Sequence, residues 1–196
     1  MCNDYKARIE LVSIEKVFAE LGIPLLYPEG RPNLEPRDDV RITDRAPMLR
    51  AATGAAAGVE LVQRRWSWPG RNGKPVYNFR SEGREFASGR CAIVADGFYE
   101  FTTHSDPKSK RKHKWLFTWG EREWFGIAGL WRTDAAVGEA FTMLTAEPGP
   151  DVAPYHDRQI VLLAPEQCAR WLDPQVPASE ILRPLPAGSL QVEQLC

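Results

Sequence analysis

Apolar residues in this chain come in short runs, and a glycine, a proline or a cluster of charges ends nearly every one. That punctuation excludes long helices and favours many short strands. RCAIVADGFYEF (90–101), EAFTMLTA (139–146) and DRQIVLL (157–163) are rich in β-branched and aromatic residues, as strands are. GVELVQRRWSW (58–68) reads as a strand entering an aromatic loop closed by Pro69-Gly70. WLFTW (115–119) and EWFGIAGLW (123–131), separated by Gly120, suggest a hairpin. Only two segments have helical character. In SIEKVFAEL (13–21), Ser13 caps an apolar face of Ile14, Val17, Phe18 and Leu21, stopped by Gly22 and Pro24. PEQCARWL (165–172) starts on a proline, which suits a first helical turn. Residues 23–57 read as loops with short strands. Strands and helices follow no βαβ rhythm, so the fold class is α+β, in one domain over residues 1–196.

The net charge of -1 confines any nucleic-acid site to a local patch. One candidate is HSDPKSKRKHK (104–114), with five Lys or Arg, either a solvated hairpin tip or a phosphate-attracting flap. Seven tryptophans suit core packing or base stacking. No apolar run is long enough to span a bilayer, and the start of the chain has no signal-peptide order. The cysteines, Cys2, Cys91, Cys168 and Cys196, show no CxxC spacing, so no metal is expected. They read as free thiols of a reducing cytosol.

Four polar residues stand out by context. If Met1 is removed, Cys2 carries an α-amine and a thiol on adjacent carbons, with reference pKa values of about 7.7–8.0 and about 8.5. Such a 1,2-aminothiol condenses with an aldehyde to an imine and then closes a thiazolidine ring. Asn78 lies in VYNFRSE, Glu100 ends the apolar ADGFYE, and His156 precedes the strand-like RQIVLL. Each has a plainer reading alone: a turn residue for Asn78, a solvent-facing carboxylate for Glu100 and a structural hydrogen-bonder for His156.

Taken in order, MCN, YNFRSE, RCAIVADGFYEF, IAGLW, FTMLTAEP and HDRQIVLL resemble the SRAP family, the SOS-response-associated peptidases or abasic-site processing proteins. The motifs run from residue 2 to about 164; the segment from about 173 matches none of them. The resemblance implies a curved, barrel-like mixed sheet with a few flanking helices. It implies that Met1 is removed autoproteolytically and that Cys2 forms a thiazolidine crosslink with the ring-opened abasic site in single-stranded DNA, with possible lyase-type chemistry. By matching motif, Cys2 is the nucleophile, Asn78 holds the N-terminal residue, Glu100 is the acid/base carboxylate and His156 the active-site histidine. Arg80 and Arg158 match arginines near the phosphate backbone, Arg84 is a further DNA-binding candidate, and Trp68 falls near a tryptophan loop against the DNA. The implied protein is a monomer of the bacterial cytoplasm, nucleoid-associated when on DNA, with neither cofactor nor metal. Where many members have arginine at position 4 this chain has Asp4, which passes the N-terminal phosphate contact to Lys6 or Arg8.

A carboxyl among Phe98, Tyr99 and Phe101 is expected to hold its proton more tightly through desolvation, which suits a donor at neutral pH. Two other function classes compete. One is a cysteine peptidase acting in trans, with a Cys2 thiolate and His156 as base. The other is a non-catalytic single-strand-binding module using the tryptophans and the 108–114 patch.

Overall fold

The computed structural model describes residues 2–104, 108 and 111–195. Met1, Cys196 and much of the basic segment at 104–114 lie outside the described residues. In chain order the elements are β1 (Asp4–Ala7), α1 (Leu11–Glu20), β2 (Leu25–Leu26), β3 (Arg37–Arg41), β4 (Arg45–Ala51) and β5 (Val59–Trp66). Then come β6 (Trp68–Pro69), β7 (Pro75–Val76), β8 (Asn78–Arg80), β9 (Arg90–Ala95), β10 (Gly97–Thr103), β11 (Lys112–Thr118) and β12 (Phe125–Asp134). The chain ends with β13 (Gly138–Ala146), β14 (Gln159–Ile160), β15 (Leu162–Leu163), α2 (Pro165–Leu172), α3 (Ala178–Ile181) and β16 (Gln191–Gln194).

The expected α+β class and barrel-like sheet are both present. Strands β13, β12, β9, β4 and β5 pair in that order, and a parallel contact between β13 and β5 closes the ring. The closure is short, Ala140 against Arg65 and Phe141 against Trp66, reinforced by Ser67 N–H donating to the Phe141 carbonyl at 2.7 Å. A second sheet, ordered β16-β11-β10-β1-β3, leans on the barrel where Tyr5 meets Trp66 edge to face at 5.3 Å. No described helix is long and apolar enough to cross a membrane.

RCAIVADGFYEF is two strands. Asp96 breaks the run: its backbone N–H reaches the Lys6 carbonyl at 3.1 Å, and its carboxylate accepts from the Arg8 amide at 2.9 Å. The chain there leaves the barrel as β9 and enters the second sheet as β10. The hairpin expected about Gly120 is absent for the same reason. β11 pairs with β10 and β16, whereas β12 pairs with β9 and β13, so the chain crosses back to the barrel through 119–124. Residues 23–57 hold a larger strand than loops would suggest, since β4 runs seven residues through the barrel wall. Helix α1 starts at Leu11 with Glu10 as its cap, and no side chain caps it, Ser13 included. Its end is as expected. Gly22, at φ +67°, donates to the Ala19 carbonyl at 3.1 Å and Ile23 to that of Phe18 at 3.0 Å, the paired bonds of a Schellman ending. Helix α2 spans PEQCARWL and buries Cys168 and Trp171 against the barrel.

Gly129 lets β9 and β13 approach β12. A Cβ there would lie 2.4 Å from Ile93 Cδ1 and 2.6 Å from the Thr142 carbonyl oxygen. The second neighbour is backbone within the ring and has no rotamer to adopt. Gly129→Ala is therefore expected to destabilise the fold by about 1–3 kcal/mol, the usual range for overpacking. Urea titration would show it as a lower midpoint with an unchanged slope.

Candidate functional site

The second sheet brings the start of the chain to its middle. β1 lies between β10 and β3, with Tyr5 opposite Phe98 on one side and Val40 on the other. Cys2, just ahead of β1, is 1% exposed, and its thiol donates to the Asp4 carbonyl at 3.3 Å. Asn78 opens β8, which runs parallel to β13 with Asn78 opposite Met143. From there its Nδ2 donates to the Cys2 carbonyl oxygen at 2.8 Å.

Glu100 does not face solvent. It lies at mid-strand in β10 at 1% exposure, and burial pushes its carboxyl up to about 7. The expected desolvation is thus present. Burial also pushes the Cys2 thiol well up, and the nearby Glu100 carboxylate adds to the effect. At neutral pH position 2 therefore carries a thiol rather than a thiolate, beside a carboxyl that is partly protonated.

His156 follows a turn in which its own N–H donates to the Val152 carbonyl at 3.1 Å. Its Nε2 lies 4.0 Å from Glu100 Oε2. Its Nδ1 accepts the Arg158 N–H at 2.9 Å, which assigns the proton of the neutral ring to Nε2, on the Glu100 side. The Asp157 carboxylate is also 2.9 Å from Nδ1, but that side chain is 89% exposed and screened by water. Burial lowers the proton affinity of the imidazole, so the ring is held neutral.

Cys2, Asn78, Glu100 and His156 are thus gathered from four separate places in the chain. The other candidates surround them. Arg80, at the end of β8, is exposed. Arg84 is exposed and lies 5.0 Å over the Phe79 ring. The Arg158 side chain is only 12% exposed; its guanidinium pairs with Glu82 and donates to the Thr145 carbonyl at 3.0 Å. Trp68 is 7% exposed, and Arg132 covers its ring at 4.4 Å.

The two cations that could stand in for an arginine at position 4 are already paired, Lys6 with Asp96 at 3.1 Å and Arg8 with Asp38 at 2.9 Å. Asp4 itself is buried. Lys114, from the basic segment, bridges it at 3.0 Å and Asp39 at 2.8 Å. Burial pushes Asp4 up to about 6, while the half-exposed Asp39 is held below its ordinary range by Lys114. Sequence reading missed this triad because its members lie 110 and 75 residues apart; the only hint was an acid standing where the family favours a base. Among the described residues no three His, Cys, Asp or Glu side chains are placed to hold a metal ion.

The family model described as "SOS response associated peptidase (SRAP)" matches residues 1–195, beyond the motifs that end near 164. The abasic site processing protein YoaM of Bacillus subtilis is 30% identical over an alignment of 132 residues that covers 61% of this chain and 57% of that protein. The chain thus spans little more than half the length of this relative. Among solved structures, a Bordetella bronchiseptica protein superposes with a TM-score of 0.73 at 24% identity over the whole of both chains. A Bacteroides thetaiotaomicron protein gives 0.73 at 16% identity over all of this chain and 92% of its own. A phage-related protein of B. bronchiseptica gives 0.71 at 22% over 99% of this chain and 94% of its own. These likenesses concern the fold.

The raised Glu100 carboxyl has a stability consequence. Between about pH 4.5 and 7 an unfolded chain ionises this group while the folded chain keeps its proton, so ionisation favours unfolding. Stability from this site is full below about 4.5 and lost as pH rises through about 7. Glu100→Gln should therefore gain stability relative to the parent on going from pH 4.5 to 8. Urea midpoints of both proteins at the two pH values check the sign.

Proposed function

Because the chain belongs to the SOS response associated peptidase (SRAP) family, we propose that it processes abasic sites in single-stranded DNA by forming a covalent crosslink through Cys2. The observation that carries this reading is the placement of Cys2, gripped through its backbone carbonyl by Asn78 and set beside a carboxyl raised to about 7. Self-cleavage of the Met1–Cys2 bond by water exposes the α-amine. The amine attacks the aldehyde carbon of the opened sugar, and the carbinolamine hydroxyl leaves as water with a proton from Glu100. The Cys2 sulfur then adds to the imine carbon. Its proton passes to the Glu100 carboxylate, and the C=N electron pair returns to the nitrogen, which keeps the N–H of the iminium ion as the ring closes. The sum is loss of one water, and Glu100 ends as it began.

The protonation states suit that order of events. A group with a pKa of about 7 can both give and take a proton at neutral pH, whereas an ordinary carboxylate can only take one. Neutral His156, with Nε2–H toward Glu100, can stabilise the carboxylate each time it forms. The trans-acting peptidase reading loses support here. It needs an accessible thiolate, and this thiol is buried and reluctant to ionise. A missing base leaves no edge to read, so affinity rests on phosphate contacts and stacking.

In Cys2→Ala with loss of Met1 verified by intact mass, the amine survives and the thiol does not. Such a protein should form an imine that borohydride traps and that otherwise hydrolyses or cleaves the strand. The parent protein should give a denaturant-resistant crosslink without reductant. An equally durable crosslink from Cys2→Ala would remove the thiol from the mechanism.

The phosphate contacts divide by geometry. Arg80 is exposed and close in sequence to Asn78, so Arg80→Ala should flatten the log–log salt dependence of binding by about one unit. Arg158 is neutralised by Glu82, so Glu82→Gln should release it and steepen the same slope. Anisotropy titrations at several salt concentrations measure both.

A further inference from the structure

The β10–β11 hairpin carries a row of rings that the chemistry above does not use. Register sets Phe98 opposite Phe117, Glu100 opposite Trp115 and Thr102 opposite His113, so these six side chains share one face of the sheet. At the inner end Phe98 and Phe117 stack at 4.9 Å in the core. Tyr155, next to His156, bridges Phe117 at 5.2 Å and Trp115 at 4.7 Å. Farther out, His113 meets Trp115 at 6.3 Å and stacks on His104 at 4.5 Å, with their planes 21° apart. Trp115 Nε1 donates to Thr102 Oγ1 at 2.8 Å, and Gln194 of β16 sits 2.9 Å from His113 Nδ1, so both rings are oriented. Trp115, Tyr155, His113 and His104 are half-buried. The row thus begins at the cross-strand neighbour of Glu100 and ends at the surface.

We propose that this row is a stacking platform for single-stranded DNA, which holds the nucleotide flanking the lesion on one side. Three observations favour that occupant. The row is continuous with the site that holds Glu100 and His156. Its outer end carries a cation, since Lys112, opposite Thr103 at the end of β10, is exposed and its charge reaches His156. Trp68, the ring that the family resemblance sets near the DNA, is covered by Arg132. A base lying against Trp115 and His113, with its phosphate toward Lys112, uses ring faces that accept any base, as a lesion with no sequence context requires. The inference rests on the proposed function for placing the lesion at Cys2.

The test uses strands in which a tetrahydrofuran residue, which has no aldehyde, stands at the lesion and a second one replaces the base on one flank or the other. With the parent protein, removing the base on one flank should weaken binding about fivefold or more, and removing the other should not. His113→Ala and Trp115→Ala should bind the complete strand more weakly and lose the asymmetry. Less than a twofold change on either flank overturns the platform, in an arm that needs no variant to fold. An aldehyde-bearing strand, run in parallel, separates the two readings. Crosslinking without flank sensitivity overturns the platform alone. Flank sensitivity without crosslinking overturns the crosslinking mechanism and leaves the platform as a binding surface. Failure to bind any strand overturns both.

Discussion

The site depends on how β13 shares its two edges. One edge is taken first by β5, which closes the barrel, and then by β8, which carries Asn78. The other is taken by β12 and then by β14, which follows directly on His156 and Arg158. Thr145 is where these meet. Its carbonyl accepts the Ser81 N–H at 2.9 Å and Arg158 Nη2 at 3.0 Å, so the segments that bear Asn78 and His156 are tied to one residue. Parallel pairing of β8 with β13 needs no turn between them, and the long β9–β12 excursion can be inserted without disturbing the tie. The barrel is therefore the frame, and the second sheet delivers Cys2 and Glu100 to it.

Burial then does to the site what sequence position could not. Four ionisable or nucleophilic groups, Cys2, Asp4, Glu100 and His156, are each shifted by desolvation toward the neutral form. Outside this region, two buried arginines are paired instead. Arg50 meets Glu60 at 2.8 Å and Glu139 at 3.0 Å, and Arg64 meets Glu29 at 2.8 Å. Such pairs hold their charges and confer rigidity, whereas neutral groups can exchange protons.

Much of this was legible in order but not in space. Helix α2 and the α1 ending were readable because proline and glycine act on the backbone locally. The motif residues were readable because their neighbours are distinctive. The split of RCAIVADGFYEF was not, since β-branched and aromatic residues continue through it and only Asp96, which serves β1, breaks the strand. The Glu100 environment was half legible: flanking aromatics predicted desolvation, but strand alternation offered solvent, and both faces of β10 proved to be covered. The Lys114 bridge was hidden because a lysine in a basic run looks solvated until a distant strand supplies its acids. Trp68 looked available because nothing nearby in sequence announces Arg132.

Asn78 holds position 2 by a carbonyl oxygen, and every amino acid has one. Anchoring at this point of the fold is therefore indifferent to the side chain that is anchored. The protein separates where a reactive group stands from which reactive group it is. A residue with a different nucleophile at position 2 would be presented to Glu100 along the same backbone path. Under the proposed function the fold works as a holder with an exchangeable tip, open to side chains close to cysteine in size because position 2 is buried.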